Sequence, residues 1–142
     1  MVDRQRLAER AAQSLYDSDR ASQMLGMAIE SVAPGAASVS MRVRSDMVNG
    51  HGICHGGLIF SLADSAFAFA CNSHGHNTVA AGAAIEFLAP GREGDVLTAA
   101  ASERWRVGKS GIYEIEVRNE RGEAVALFRG RCHQIAGRLV DE

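Results

Sequence analysis

The sequence predicts an α+β domain in which one apolar helix lies across an antiparallel sheet, and three features point to it. The run from Leu58 to Cys71 is apolar on nearly every helical face, as in a central, enclosed helix. Everything after His76 reads as strands joined by tight turns, and short turns between adjacent strands imply antiparallel pairing. Ahead of both lies a charged amphipathic segment with the helical period. A chain of 142 residues is enough for one domain with a real core, and no repeat, linker or low-complexity tract divides it.

In chain order, Leu7, Ala11, Leu15 and Tyr16 recur at helical spacing, predicting a helix over about 3–25 that packs on the edge of the core. Ser18-Asp19 can restart that helix with a new cap, and Gly26 stands where a C-terminal glycine would end it. The segment 1–25 is thus a helical extension, and 26–136 is the main body. Met27–Val32 and Ala37–Val43 are two short strands around the turn Pro34-Gly35. Val39, Met41 and Val43 alternate with Ser38, Ser40, Arg42 and Arg44, so one face is buried. A loop from Asn49 leads into the long helix, expected over about 57–74. Four strands follow at about 78–88, 95–107, 112–117 and 123–135. Their turns are Pro90-Gly91, Gly108-Lys109-Ser110-Gly111 and Arg118 to Gly122.

Composition narrows the function. The apolar fraction of 46% and charged fraction of 23% fit an ordinary globular protein. A net charge of -2 from interspersed signs gives no basic patch, so neither nucleic acid nor an anionic membrane surface is the expected partner. Cys54, Cys71 and Cys132 are odd in number and widely spaced, which argues against a disulfide framework and for a reducing compartment. The N-terminus lacks the apolar core of a signal peptide, and no apolar stretch is long enough to span a bilayer. A cytoplasmic location is the expectation.

The stretch Asn49–Asp64, NGHGICHGGLIFSLAD, carries the chemistry. Asp64 sits among Leu58, Ile59, Phe60, Leu62, Ala63, Ala66 and Phe67. An ionised carboxylate removed from water without partners is costly, so such a residue is usually paired, hydrogen-bonded or functional. The glycines ahead of the run let a backbone approach closely and open a helix with free N–H groups. A carbonyl-polarising turn followed by a half-buried acid is the pattern. His51, Cys54 and His55, or His74 and His76, fit no zinc spacing well, and no metal is expected. Cys54 and Cys71 read as packing residues rather than nucleophiles, and His133 as structural.

Asn49, His55-Gly56-Gly57 and Asp64 after a β-hairpin, followed by an antiparallel sheet, resemble the hotdog-fold acyl-CoA thioesterases. The nearest likeness is to the phenylacetic acid degradation (PaaI-type) branch. AFACNSHG, IEFLAPGREGDVLTA, GKSGIYEIEV and ALFRGRCHQI also look like that branch, so the resemblance covers roughly 10–136. It implies a hotdog fold and hydrolysis of an acyl-CoA thioester, with ring-hydroxylated phenylacetyl-CoA as the favoured substrate class. CoA belongs to the substrate, so no resident cofactor is implied. By the same resemblance Asp64 is the catalytic carboxylate, Asn49 a polar side chain nearby, His55 the catalytic-site histidine before the glycine, and the Gly56 N–H the oxyanion donor; on its own chemistry His55 reads as orienting the loop or the Gly56 amide rather than transferring protons.

The physics agrees, because an N–H at a helix start is aimed at the negative charge a thioester carbonyl gains in the transition state. Asp64 would act as general base or attack directly to give a mixed anhydride, and the sequence leaves both open. Two departures concern the water. Ala80 to Ala84 has no hydroxyl where some relatives carry one, and position 68, a threonine in another branch, is Ala68. Asn49, Ser65 and Thr78 are the remaining candidates to hold it. For the CoA phosphates, Arg106, Gly108, Lys109, Ser110 and Gly111 offer N–H groups and two cations, with Arg92 a second candidate. The same stretch reads equally well as a β-turn with solvated charges.

Geometry adds one expectation. Eight residues apart on one helix, Gly56 and Asp64 are separated by about 12 Å along the axis, whereas a reacting carbon needs its partner atoms within about 3.5 Å. Two antiparallel central helices from two chains would remove the conflict, giving an obligate homodimer with two composite sites. The resemblance implies the same dimer, commonly paired again as a dimer of dimers. A non-catalytic acyl-CoA-binding or sensor protein is the competing class, disfavoured by the intact Asn49/Gly56/Asp64 set. A hotdog dehydratase would need an acid and a histidine converging on a β-hydroxyacyl chain, which this motif does not supply.

Overall fold

Asp3 opens the first helix by accepting hydrogen bonds from the Gln5 and Arg6 N–H groups at 3.1 and 3.2 Å. In the computed structural model, which describes residues 1–142, this helix α1 runs Arg4–Ser18. Asp19 then breaks the helical path and caps a second short helix α2, Arg20–Met24. The expected restart at Ser18-Asp19 is therefore real, and Gly26, at φ +70°, turns the chain out of α2.

Strands β1 (Ala28–Ala33) and β2 (Ala36–Arg42) form the first hairpin, and helix α3 covers Gly56–Cys71. Strands β3 (His76–Phe87), β4 (Val96–Val107), β5 (Ser110–Arg118) and β6 (Ala124–Arg138) complete a six-stranded antiparallel sheet. Its order is β1-β2-β4-β5-β6-β3, and α3 lies across it in contact with every strand. This is the hotdog arrangement, with α1 and α2 added at the N-terminus. No helix is long and apolar enough to cross a membrane.

The period-2 pattern of β5 gives the clearest match between sequence and sheet. Tyr113, Ile115 and Val117 are buried, whereas Glu114 and Glu116 face water. Tyr113 can point inward because its hydroxyl donates to Glu103 Oε1 at 2.6 Å, so the polar tip is satisfied. Phe67 of α3 packs on Tyr113 and Phe128, ring centroids 5.6 and 5.9 Å apart. It lies flush against β6, where a Cβ added at Gly130 would stand 2.6 Å from the ring. Only glycine lets the helix sit this close.

Two features differ from expectation, each for a physical reason. The β4–β5 turn is shorter than the four-residue Gly108–Gly111 stretch, because Arg106 pairs with Gly111 and Val107 with Ser110. Only Gly108 and Lys109 lie outside the ladder, with Gly108 at φ +61°. Second, α3 is not enclosed on every face within one chain. Ile59, Leu62, Ala63, Ala66, Phe67, Phe69 and Ala70 are buried, Phe69 with Tyr16 of α1 beside it, while Gly57 is exposed and Ser61, Asp64 and Ala68 remain partly exposed. At spacings of four, three and four residues, these last four share one outward stripe.

The two sheet edges are treated differently. Beside β1, the Gln5 amide of α1 donates to Val32 O at 2.7 Å. Strand β3 pairs only with β6, and its other edge is open over a run of alanine and glycine.

Candidate active site

The site begins with a count of N–H groups where the loop enters α3. Cys54 N–H donates to Gly91 O at 2.8 Å and His55 N–H to Met47 O at 2.8 Å. His55 is the N-cap of α3, and its Nδ1 accepts the Gly57 N–H at 2.9 Å. Leu58 N–H takes the His55 carbonyl at 2.9 Å. In this run of five, the Gly56 N–H alone donates to nothing in the chain. With Nδ1 accepting, the neutral His55 ring carries its proton on Nε2. His55 thus spends itself on Gly57 and leaves its neighbour's N–H free at the positive end of the helix. A Cβ added at Gly57 would lie 3.0 Å from His55 Nδ1, so a larger residue there would have to push the capping ring aside.

Asn49 organises the loop from within. Its Oδ1 accepts from the His51 and Ile53 N–H groups at 2.9 and 3.3 Å, so the side-chain NH2 is the group left to face outward. Asn49 and Gly56 line one open groove of about 420 Å³ with Ile59, Phe87, Leu88 and Pro90. The groove is apolar apart from these few groups, as small-molecule clefts usually are.

Asp64 is not part of it. Eight residues along α3 put it about 12 Å from Gly56, on the outward stripe. Its carboxylate accepts no hydrogen bond from the chain; burial raises its proton affinity above the ordinary carboxylate range, and the nearby charge of Asp19 raises it further. The structure therefore brings Asn49, His55 and Gly56 together and leaves Asp64 two turns away.

The remaining predicted residues lie elsewhere. Arg106, Gly108, Lys109 and Ser110 line a cavity of about 20 Å³ with Cys71, His74, His76, Thr78, Tyr113, Cys132 and Gln134. That is room for about one water. The cavity sits at the C-terminal end of α3, where the His74 ring and the Tyr113 hydroxyl both bond Glu103, at 2.8 and 2.6 Å. Burial alone would raise the Glu103 carboxyl, but those two donors hold it below its ordinary range. Gly111 is buried in β5 and has Cys132 against it. Arg92 is at the far end of β4 from Lys109, its N–H on Asp95 Oδ2 at 3.0 Å. The eleven steps from Val96 to Val107 span about 36 Å, so one chain cannot direct both groups at the same phosphates. The three cysteines are free and buried. Burial pushes the Cys54 thiol up, so it is not poised as a nucleophile.

A sequence profile of the thioesterase superfamily matches residues 51–126, the span from the Gly56 loop to β6. The chain belongs to the thioesterase superfamily. Within it, this is a hotdog-fold acyl-CoA thioesterase of the PaaI type. It is 47% identical over 131 residues to the acyl-coenzyme A thioesterase PaaI of Escherichia coli, covering 92% of this chain and 94% of that one. The solved structure of the E. coli PaaI protein from the phenylacetic acid degradation operon superposes with a TM-score of 0.94 at 46% identity, covering 96% and 99% of the two chains. A mutant of the phenylacetic acid degradation protein PaaI from Thermus thermophilus superposes at 0.79 with 37% identity, over 82% of this chain and all of that one.

The sequence reading named Asp19 as a cap but did not place it or Ser22 against α3, where the N-terminal helices carry them. Ser22 Oγ lies 2.8 Å from Ser65 Oγ and 2.6 Å from Asp19 Oδ2. Asp19-x-x-Ser22 was legible as a helix cap, but no local pattern links residues 43 positions apart.

The unpartnered Asp64 has a stability consequence. Folded Asp64 binds its proton more tightly than unfolded Asp64 does, so it favours the folded state at low pH and costs stability as pH rises above the ordinary carboxylate value. Asp64→Asn should therefore melt above the wild type at pH 7, with the gap closing below about pH 4. An Asn variant that melts below the wild type at pH 7 would show that the carboxylate is stabilised by partners after all.

Proposed function

We propose that this thioesterase hydrolyses (hydroxy)phenylacetyl-CoA or a related aryl-acyl-CoA in phenylacetate catabolism, at sites each assembled from two chains. The observation that carries the reading is the free Gly56 N–H at the start of α3, with the unpartnered Asp64 two turns further on. The E. coli relative is named an acyl-coenzyme A thioesterase, and the E. coli and T. thermophilus structures are named for phenylacetic acid degradation, which together support an aryl-acyl-CoA substrate. The largely apolar groove beside Gly56 suits an aryl ring.

In this reading the thioester carbonyl oxygen takes the Gly56 N–H and draws on the helix dipole as negative charge builds. Removing one such donor typically costs about 10²–10³ in kcat. Asn49 presents its amide beside the same carbonyl, and His55 fixes the loop by capping Gly57. Asp64 supplies the electron pair, either by taking a proton from the attacking water or by attacking the carbonyl itself to form an anhydride that water then opens. Both routes break the C–S bond, add one water and release the free acid and the CoA thiol, with the proton passing to sulfur. Burial without a hydrogen-bond donor makes Asp64 a stronger base and a stronger nucleophile, so it suits either.

The dimer follows from the same distances. The open edge of β3 and the small-residue stripe of α3 are the surfaces a second copy would meet in pairing sheets and helices. A second chain running antiparallel brings its Asp64 to the first chain's Gly56. Two such dimers pair into a tetramer in this reading. CoA phosphates fall to the cations at Arg106 and Lys109 or to Arg92, which the strand geometry assigns to different ends of the domain.

Two experiments test this. Free-thiol release on an acyl-CoA panel should be fastest for phenylacetyl and hydroxyphenylacetyl thioesters and be lost in Asp64→Asn. Equal rates on short straight-chain acyl-CoAs would remove the aryl specificity, and an active Asn variant would remove Asp64. Mixing Asp64→Ala with Gly56→Pro subunits tests the composite site, proline being tolerated at the first helical position while removing the N–H. Random pairing should restore about a quarter of the wild-type activity, since half the dimers regain one of two sites. Mixtures as inactive as their parents would place both groups in one chain's site.

A further inference from the structure

The groove beside Gly56 holds an aromatic ring that hydrolysis as described so far does not use. Phe87 is the last residue of β3, and its register partner on β6 is Ala126. Ala126 shares a face of β6 with Phe128 and Gly130, both of which meet Phe67 of α3. Directly opposed residues of an antiparallel pair point the same way, so Phe87 also lies on the helix side of the sheet. Ile85, two residues earlier, packs there on the core, whereas Phe87 meets the start of α3. A Cβ added at Gly56 would stand 3.1 Å from Phe87 Cζ and 3.4 and 3.6 Å from its two Cε atoms, so the ring reaches Gly56 by its tip. A side chain at position 56 would have to push this ring aside, which ties the glycine to Phe87. The ring is otherwise little covered: Phe87 is 53% exposed, and it is the one aromatic side chain lining the groove that Asn49 and Gly56 share. Contact by the tip leaves the faces of the ring for another group to meet.

We propose that Phe87 determines the preference for aryl-acyl thioesters, its ring forming the wall on which the substrate's ring packs. The inference rests on the reading of the Gly56 N–H as oxyanion donor and of an aryl-acyl-CoA as substrate. A carbonyl oxygen served by that N–H lies about 2.7–3.1 Å from the Gly56 nitrogen, so the groups attached to the carbonyl carbon fall close to the Phe87 tip. One of them is the sulfur, which leads into the amide-bearing pantetheine arm of CoA, and the other is the acyl group. An apolar wall suits the acyl group, because the amides of the arm would lose water there without gaining partners. A ring one methylene from the carbonyl can reach the centroid separation of about 4.5–7 Å at which aromatic pairs attract, edge to face or offset. Aliphatic neighbours in the groove such as Ile59 and Leu88 offer apolar area without that geometry. An aryl group bound there would also take the exposed ring of Phe87 out of water.

The test compares two acyl groups on one enzyme. Phe87→Leu keeps an apolar side chain and removes the ring. The quantity read is kcat/KM for phenylacetyl-CoA divided by kcat/KM for hexanoyl-CoA, with melting temperature and size-exclusion volume confirming a folded protein of wild-type assembly. The wild-type ratio should exceed one, and Phe87→Leu should lower it by about fivefold, the contribution expected of one aromatic pair. The fall should appear in KM, because the two rings touch equally in the bound substrate and in the transition state. A ratio that stays at the wild-type value, whether both rates fall together or neither does, overturns the assignment and leaves the aryl reading standing, since Phe87 would then only shape the start of α3. A wild-type enzyme with no preference for phenylacetyl-CoA overturns the aryl reading and this assignment with it. If Phe87→Leu fails to fold or assemble, Phe87→Ile, whose branched side chain suits a strand, decides by the same ratio.

Discussion

A rigid helix sets the terms for this protein. Helix α3 carries both the free Gly56 N–H and the Asp64 carboxylate, and its rise per residue holds them about 12 Å apart whatever the rest of the fold does. The other features answer to that constraint. Gly130 lets the sheet seat the helix closely through Phe67, and Gly57 lets His55 cap the helix without covering the neighbouring N–H. The small residues on the outward stripe leave room beside Asp64 rather than filling it. A long apolar helix could have been buried more completely by larger side chains, at the cost of both approaches.

Electrostatically, the two ends of the motif are prepared in opposite ways. At the Gly56 end the chain arranges donors and leaves one unspent, so developing negative charge finds a fixed partner. At the Asp64 end it withholds donors, so the carboxylate stays hungry for a proton. Such a carboxylate lowers the stability of the folded chain, which functional sites commonly do.

Much of this was legible in the sequence. The alternation of Tyr113, Ile115 and Val117 reports a half-buried strand directly, and a carboxylate inside LIFSLADSAF stands out by composition alone. Asn49, His55 and Gly56 fall together because a short loop joins them. What escaped was contact at a distance. Asp19 and Ser22 meet α3 only because a second, capped turn folds the N-terminal helix back, and local periodicity carries no record of that. The apolar pattern of α3 suggested enclosure on all sides, yet Gly57, Ser61, Asp64 and Ala68 form a stripe that the chain leaves exposed or partly exposed, because small residues in an apolar run read as buried whether or not anything covers them. The β4–β5 turn looked wider than it is, because Ser110 and Gly111 are turn-like residues that the ladder nonetheless recruits.

The central claim is that one carbonyl is served by Gly56 of one chain and Asp64 of another. A crystal structure of the assembly with a non-hydrolysable aryl-acyl-CoA analogue tests it most directly. The account predicts the analogue's carbonyl oxygen about 2.7–3.1 Å from the Gly56 nitrogen, with the Asp64 carboxylate of the opposing chain on the other side of the carbonyl carbon. An analogue bound with both groups from the same chain, or with its carbonyl turned away from Gly56, would contradict it.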